Sequence, residues 1–377
     1  MATVGARETP MYASISSAAE DFRSTRRQML IHAGAVLAAP ALITGARAAN
    51  EQLVLASYGG TTETFMRTEV IPGFEKETGI KVVYAVGTAL SNYSRVLATR
   101  RRPEIDLYWA NDLSHLAGKQ QDLYLKLDPE LVPNLKNVYP LARDADGIGV
   151  MSNISGCGLQ YNPQKFAEAG FAPPTSWLDL WDHKFKGRVA IYSIGVLFSQ
   201  DFLAMMTRVF GGNEGDISVA IRKIRELRDS GNVVAFANSP AEMDNIMTQG
   251  QAWVNYNAQT RALALMQNGS PLKYVQPKEG GTLFSVIFDA VKGSPNPIAA
   301  QKFINYMLKE DIQSATAEKI GYAPVNMNAK VPAVFADVMP RNEATLRTFV
   351  QLDRATMNRD LENWTEVWNR EIETRRR

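Results

Sequence analysis

From Leu53 onward, short apolar runs alternate with amphipathic segments of helical period, and this alternation commits the chain to a layered α/β architecture with a largely parallel sheet. Strand-like runs stand at 53–56, 81–84, 105–109, 157–161, 189–192, 252–256 and 283–291. Helical patterns fall at 93–100, 163–169, 202–210, 218–229, 241–248, 299–308 and 312–319. After the first strand, Gly59-Gly60 permits a tight turn and Thr61 or Thr62 is placed to cap a helix, which Pro72 must break or kink. Beyond Met327 the pattern is helical, and Trp364, Val367 and Trp368 recur at a spacing suited to docking on a surface.

The amino end follows a different rule. Arg26-Arg27 precedes a short apolar stretch at 31–43 and then Ala46-Arg47-Ala48, the order of a charged region, an apolar region and a small-x-small cleavage site. Paired arginines before a weakly apolar, alanine-rich core match a twin-arginine export signal, which predicts handling by the twin-arginine translocase, cleavage after Ala48 and a periplasmic product. A membrane span needs about 20 consecutive apolar residues, and this stretch is shorter and interrupted by Pro40.

Charge and cysteine use narrow the function classes. Five of the 41 Lys+Arg and three of the 39 Asp+Glu lie in residues 1–48, so the remainder carries 36 of each and lacks the basic excess of a nucleic-acid binder. Arg100-Arg101-Arg102 reads as a solvated helix end. Cys157, the single cysteine, sits in an apolar run and reads as a buried structural thiol, because only His115 and His183 remain beyond the leader to serve it as a base. There is no nucleophile elbow, Walker loop, dinucleotide fingerprint or metal-ligand spacing, which argues against an enzyme and against any cofactor or metal.

Open α/β sheets bind ligands at the carboxyl ends of their strands, so the residues that close the strands are the candidates. Ser57, Tyr58 and Thr61 offer hydroxyls after the first strand and Asn111 an amide after the third. Tyr192 and Ser193 end a strand of the second half, with Asn257 expected opposite them. Arg261, at the start of the helix after 256–260, presents a planar fork suited to a carboxylate or phosphate, with helix-start amides adding to the field; the competing reading is a surface arginine. Asp112, Asp201 and Asp289 are read as capping or surface carboxylates.

Several stretches occur in a telling order: Tyr58-Gly59-Gly60, Phe74-Glu75-Lys76-Glu77-Thr78-Gly79-Ile80-Lys81-Val82, Asp106-Leu107, Pro277-Lys278-Glu279-Gly280 and Ile320-Gly321-Tyr322-Ala323-Pro324-Val325-Asn326. Together they resemble the extracellular solute-binding proteins of ABC importers, in particular the spermidine/putrescine-binding group. The resemblance implies a type II periplasmic-binding fold, two α/β lobes with crossing strands around a central cleft, working as a monomer that hands a small-molecule ligand to the permease subunits, with a periplasmic sensor subunit or a polyamine binder as the alternatives. It implies lobe one at 49–153 plus 284–330, lobe two at 154–283, and C-terminal helices at 331–377 packed on both. It places Tyr322 near the cleft and puts Phe284-Ser285-Val286 where the polyamine binders carry Trp-x-Asp. A desolvated ammonium needs an aromatic box and a carboxylate, so that replacement counts against a polyamine and, with Arg261, predicts an anionic or zwitterionic solute. Phe284 is a candidate apolar wall of the cleft, or a buried strand residue.

Overall fold

The computed structural model describes residues 52–374 except 337 and 341. The export signal at Arg26-Arg27 and the cleavage expected after Ala48 lie outside the described residues.

In chain order, β1 (Gln52–Ser57) leads into α1 (Thr61–Phe65), one π turn (Met66–Val70) and α2 (Ile71–Thr78). There follow β2 (Lys81–Val86), α3 (Ala89–Ala98), β3 (Leu107–Asn111), α4 (Asp112–Gln120) and the long β4 (Val150–Tyr161). The second half runs α5 (Pro163–Glu168), β5 (Val189–Tyr192), α6 (Leu197–Val209), α7 (Ser218–Asp229), β6 (Val233–Ala237), α8 (Pro240–Thr248), β7 (Val254–Ala258), α9 (Gln259–Gln267) and β8 (Lys273–Val275). Then β9 (Thr282–Ala290) returns, followed by α10 (Pro297–Met307), α11 (Glu310–Ile320), β10 (Ala323–Pro324), α12 (Glu343–Leu346) and α13 (Arg354–Trp368).

One local expectation is corrected. The cap of α1 is Gly60, not a threonine, because the turn requires φ of 70°, a left-handed value that glycine adopts without strain. Pro72 stands in the first turn of α2, where its missing N–H is tolerated, directly after the π turn that interrupts the run, so the segment stays helical but not as one regular α-helix.

The strands join one sheet in the order β2-β1-β3-β9-β4-β7-β5-β6, with β8 and β10 also paired to β4. The expectation of a largely parallel sheet holds only for its two wings, where β1 pairs with β2 and β3, and β5 with β6 and β7, in parallel. Every pairing of β4 and β9 is antiparallel, because these strands cross from one body to the other in opposite directions.

Hydrophobic burial divides about these strands. Leu53, Leu55, Leu107, Trp109, Val286 and Phe288 belong to one core, with a smaller cluster that includes Tyr108 and Tyr124. Leu159, Ile191, Phe202, Tyr256, Trp364 and Trp368 belong to a second. The C-terminal tryptophans, which stand at the spacing suited to docking, are buried in the core of the second body. The C-terminal segment serves both cores, since Leu346 lies in the first and Leu352 in the second. Val350 crosses between them beside β9, where its carbonyl accepts from Leu283 N at 2.8 Å.

Candidate functional site

The two bodies meet where β1 and β3 end, over the crossing strands β4 and β9. Side chains alternate along a strand, so Asn153, Ser155 and Cys157 share one face of β4 with their β9 partners Val286, Phe284 and Thr282. Trp109 and Asn111 of β3 continue that face through their pairing with Phe288 and Val286. Tyr58 packs its ring on Trp109 at 6.1 Å between centroids, and Trp109 is fixed by its indole N–H to Ser152 Oγ at 2.6 Å.

From the second body, α9 packs on β4, and its first turn reaches the first body: the Cα of Thr260 lies 3.5 Å from where a Cβ on Gly321 would stand. Leu263 of the same helix is buried in the first core. The bodies are therefore closed on this face, with Tyr322, next to Gly321, among the ionisable neighbours of Tyr58.

Closure buries polar atoms that the protein does not satisfy. Tyr58 Oη, both amide atoms of Asn153, Ser155 Oγ, both amide atoms of Gln259 and Arg261 Nε are buried without a protein hydrogen-bond partner. Each such atom costs about 1–3 kcal/mol while unsatisfied, and others of the kind, on Asn232, Asn255, Tyr274 and Ser294, lie elsewhere in the protein; those on β4 and at the start of α9 are the ones a molecule at the junction could meet. α9 has no side-chain cap either, which leaves its first-turn amides directed at the junction. Burial drives the Tyr58 hydroxyl well above its ordinary value and pushes Tyr322 up to about 12, so both remain neutral donors.

The charges nearby are largely compensated. Arg261 Nη2 lies 2.5 Å from Asp244 Oδ2, so the free anion fork expected of Arg261 is not there. The acidic partner on α8 was invisible to a reading of α9 alone. A second cluster joins the bodies near the start of β9, beside a cavity that Leu283, Ser285 and Ile287 also line. Arg354, the first residue of α13, donates through Nε to Asp112 Oδ2 at 2.9 Å and through Nη2 to Asp201 Oδ2 at 3.1 Å, with Nη1 on Asp201 Oδ1. Nη2 also reaches the Leu283 carbonyl at 3.0 Å. Asp201 accepts from Thr282 Oγ1 at 3.3 Å, and Asp112 is an ionisable neighbour of Tyr58. Burial pushes the Asp112 carboxyl up, against the pull of Arg354. Two carboxylates on one guanidinium leave one net negative charge.

Residues 69–340 match the family model described as bacterial extracellular solute-binding protein. The chain belongs to this family. The solute-binding protein is 29% identical over 323 residues to the spermidine/putrescine-binding periplasmic protein of Salmonella typhimurium, covering 78% of this chain and 84% of the relative. It is 24% identical over 317 residues to the gamma-aminobutyric acid-binding protein of Pseudomonas aeruginosa, covering 81% and 86%. In fold it is similar to the spermidine/putrescine ABC transporter substrate-binding protein of Streptococcus pneumoniae, with a TM-score of 0.70, 20% identity, and coverage of 84% of this chain and 99% of that one. The fold is the type II periplasmic-binding fold, and the family assigns the chain to solute binding rather than catalysis.

Of the candidate residues picked out in the sequence, the structure brings Tyr58, Asn111, Phe284 and Tyr322 to the junction, while Arg261 turns to Asp244 of α8. Asn111 spends its side-chain oxygen Oδ1 as the cap of α4, accepting from Ser114 N at 2.9 Å. Ser57 is committed inside the first body, its Oγ 3.0 Å from Tyr84 Oη. Tyr192 donates to Asn257 Oδ1 at 3.1 Å, and Asn257 donates to Gln160 Oε1 at 3.2 Å, a buried network of the second body. Ser193 closes β5 through its N–H to Ala237. Thr61 is exposed on α1 in a shallow groove with Lys319 and Ile320.

Asp112, Asp201 and Asp289 are not surface carboxylates. The first two hold Arg354, and buried Asp289 accepts from His115 Nδ1 at 2.8 Å. Cys157 is buried, and burial pushes its thiol up, which suits the structural reading. Sequence reasoning missed Asn153, Ser155, Gln259 and Arg354. The first two had a signal, polar residues at alternate positions of a crossing strand that carries Ser152 and Gln160 besides. Arg354 had none, lying 153 residues from Asp201.

Proposed function

We propose that the protein is the periplasmic solute-binding component of an ABC importer that closes its two lobes on a small zwitterionic solute and delivers it to the membrane permease. The observation that carries this reading is the set of buried polar atoms without protein partners at the closed junction, joined to charges that are already paired. A solute with one ammonium and one carboxylate suits both ends. The aromatic rings of Tyr58, Tyr322 and Phe284, with one net negative charge nearby, favour an ammonium group. The uncapped start of α9, with Gln259 and Arg261 Nε, favours a carboxylate.

Export through the twin-arginine translocase, cleavage after Ala48 and action as a monomer belong to the same reading, as does a lobe division near residues 154 and 283. Among the described residues, no helix is long and apolar enough to cross a membrane. The relatives bind polyamines and gamma-aminobutyric acid by name, and both kinds of solute carry an ammonium. A ligand that binds only the folded protein raises its melting temperature. Residues 49–377 are therefore to be screened against amino acids, dicarboxylates, sugar phosphates and polyamines. The expected result is a shift with a zwitterion, and a shift confined to dicarboxylates or to polyamines would overturn the proposal.

A further inference from the structure

The carboxyl ends of β1 and β3 face the junction, so the amino ends of these parallel strands point the other way. Arg100, Arg101 and Arg102 stand at that far end, in the turn between α3 and β3. All three are exposed, and among the described residues none has an ion-pair partner: Glu104, the acid of the same groove, is on Arg95 at 3.4 Å. The groove is also lined by Tyr93 and Leu97, half-buried on one face of α3. A chain that carries 36 Lys+Arg and 36 Asp+Glu beyond residue 48 thus gathers three uncompensated charges at one end of its first body. The field of a helix carboxyl end favours a cation in the last turn of α3, where Arg95 stands, but it fades within a turn and gives no reason for Arg101 and Arg102.

The chain before the described residues enters at this same end. Leu55 of β1 lies opposite Leu107 of β3, and Val54 and Asp106 exchange hydrogen bonds, Asp106 N to Val54 O at 3.0 Å and Val54 N to Asp106 Oδ2 at 2.8 Å. Gln52, the first residue of β1, therefore lies beside the turn that carries the arginines. From Ala48, where the expected leader ends, to Gln52 the chain spans at most about 14 Å. A leader held at the membrane keeps the arginine end, and not the junction, within that reach of lipid.

We propose that the groove of Arg100, Arg101 and Arg102 is a docking surface for anionic phospholipid. It rests on the export reading above for meeting a membrane, and on nothing about the solute. Guanidinium forks match phosphate geometry, and a tyrosine and a leucine beside them suit the boundary between headgroups and acyl chains. Each basic residue near an anionic membrane surface strengthens binding about fivefold, so three give on the order of a hundredfold. That concentrates the protein at the membrane without anchoring it, since stable anchoring takes stronger or additional signals. The ligand junction stays open to solute, because it lies at the opposite ends of β1 and β3. An acidic peptide would be drawn by the same charge, and the point where the chain enters favours lipid.

The test sediments residues 49–377, which hold both hydrophobic cores, with vesicles of equal parts phosphatidylglycerol and phosphatidylcholine and with vesicles of phosphatidylcholine alone. Binding to the anionic vesicles is expected to exceed binding to the neutral ones on the order of a hundredfold at low ionic strength, and to weaken as added salt shortens the screening length. The triple variant Arg100→Gln, Arg101→Gln and Arg102→Gln is expected to melt as wild type does, because the three side chains are exposed, and to lose the preference. A control with the same loss of charge, Lys136→Gln, Lys273→Gln and Lys302→Gln, takes exposed lysines from other parts of the surface and is expected to keep it. Equal binding to the two kinds of vesicle would overturn the proposal, as would a triple arginine variant that binds like wild type. A control that loses as much as the arginine variant would overturn it too, since charge anywhere would then serve. So would wild-type protein that ignores anionic vesicles and binds a polyglutamate peptide through the three arginines, which would assign the groove to a protein partner. None of these readouts involves the solute, so failure here leaves the zwitterion reading untouched.

Discussion

Replacing Tyr58 by phenylalanine separates a binding hydroxyl from a structural one. The ring keeps its place against Trp109, with 6.1 Å between centroids and planes inclined at 57°, so packing is conserved. The hydroxyl removed is buried and has no protein partner. An atom of that kind costs about 1–3 kcal/mol while unsatisfied. In the ligand-free protein, Tyr58→Phe is therefore expected to leave stability unchanged or to raise it by about 1 kcal/mol, a melting shift of roughly 2–4 °C or less for a chain of this size. Bound solute reverses the sign, because the hydroxyl then loses a hydrogen bond: affinity is expected to fall by about 1–3 kcal/mol, or roughly 5- to 150-fold. Urea denaturation without ligand and calorimetric titration with it read the two effects on one preparation. A variant that loses more than about 1 kcal/mol without ligand, or that binds as tightly as wild type, would refute the assignment of Tyr58 to the ligand surface.

Gly156→Ala would set a Cβ against the Thr282 carbonyl oxygen and 2.7 Å from the Phe349 ring, and overpacking of this kind costs about 1–3 kcal/mol, measured by urea denaturation. Trp364→Ala opens the second core at a fully buried position and is expected to cost about 3–5 kcal/mol, with loss of cooperative unfolding in that body as the readout. His115 has burial lowering its pKa, but Asp289 and Asp144 outweigh this and raise it. Its contribution to stability is then full below the ordinary histidine value of about 6.5 and is lost as pH rises through the higher folded value. The stability difference between wild type and His115→Asn is accordingly expected to be larger at pH 6 than at pH 8, and equal differences would contradict the pairing.

The wings of the sheet were legible because each strand there carries its own apolar run and is followed by a helix with its own period. Val189–Tyr192 and Ser218–Asp229 were read at their observed bounds. The crossing strands were harder. The first half of β4, Val150 to Gly156, interrupts its apolar residues with Ser152, Asn153 and Ser155, and that pattern does not look like a buried strand. Strand β6 escaped for a related reason: at the sheet edge, its residues before Ala237 are partly buried or, at Val234, exposed, and the run is short. Among site residues, Tyr58 and Tyr322 were accessible through their place at strand ends and in a recognisable segment. The compensation of Arg261 by Asp244 and of Asp112 by Arg354 was not, since ion pairs across helices and across bodies leave no local trace.

The central claim is that this junction closes on a small zwitterion. The most direct measurement is to purify the protein natively from periplasm, denature it, and identify the released solute by mass spectrometry. The account predicts a small molecule with one amine and one carboxylate, present in near-stoichiometric amount. A polyamine, a dicarboxylate or a sugar phosphate released in that amount would contradict it.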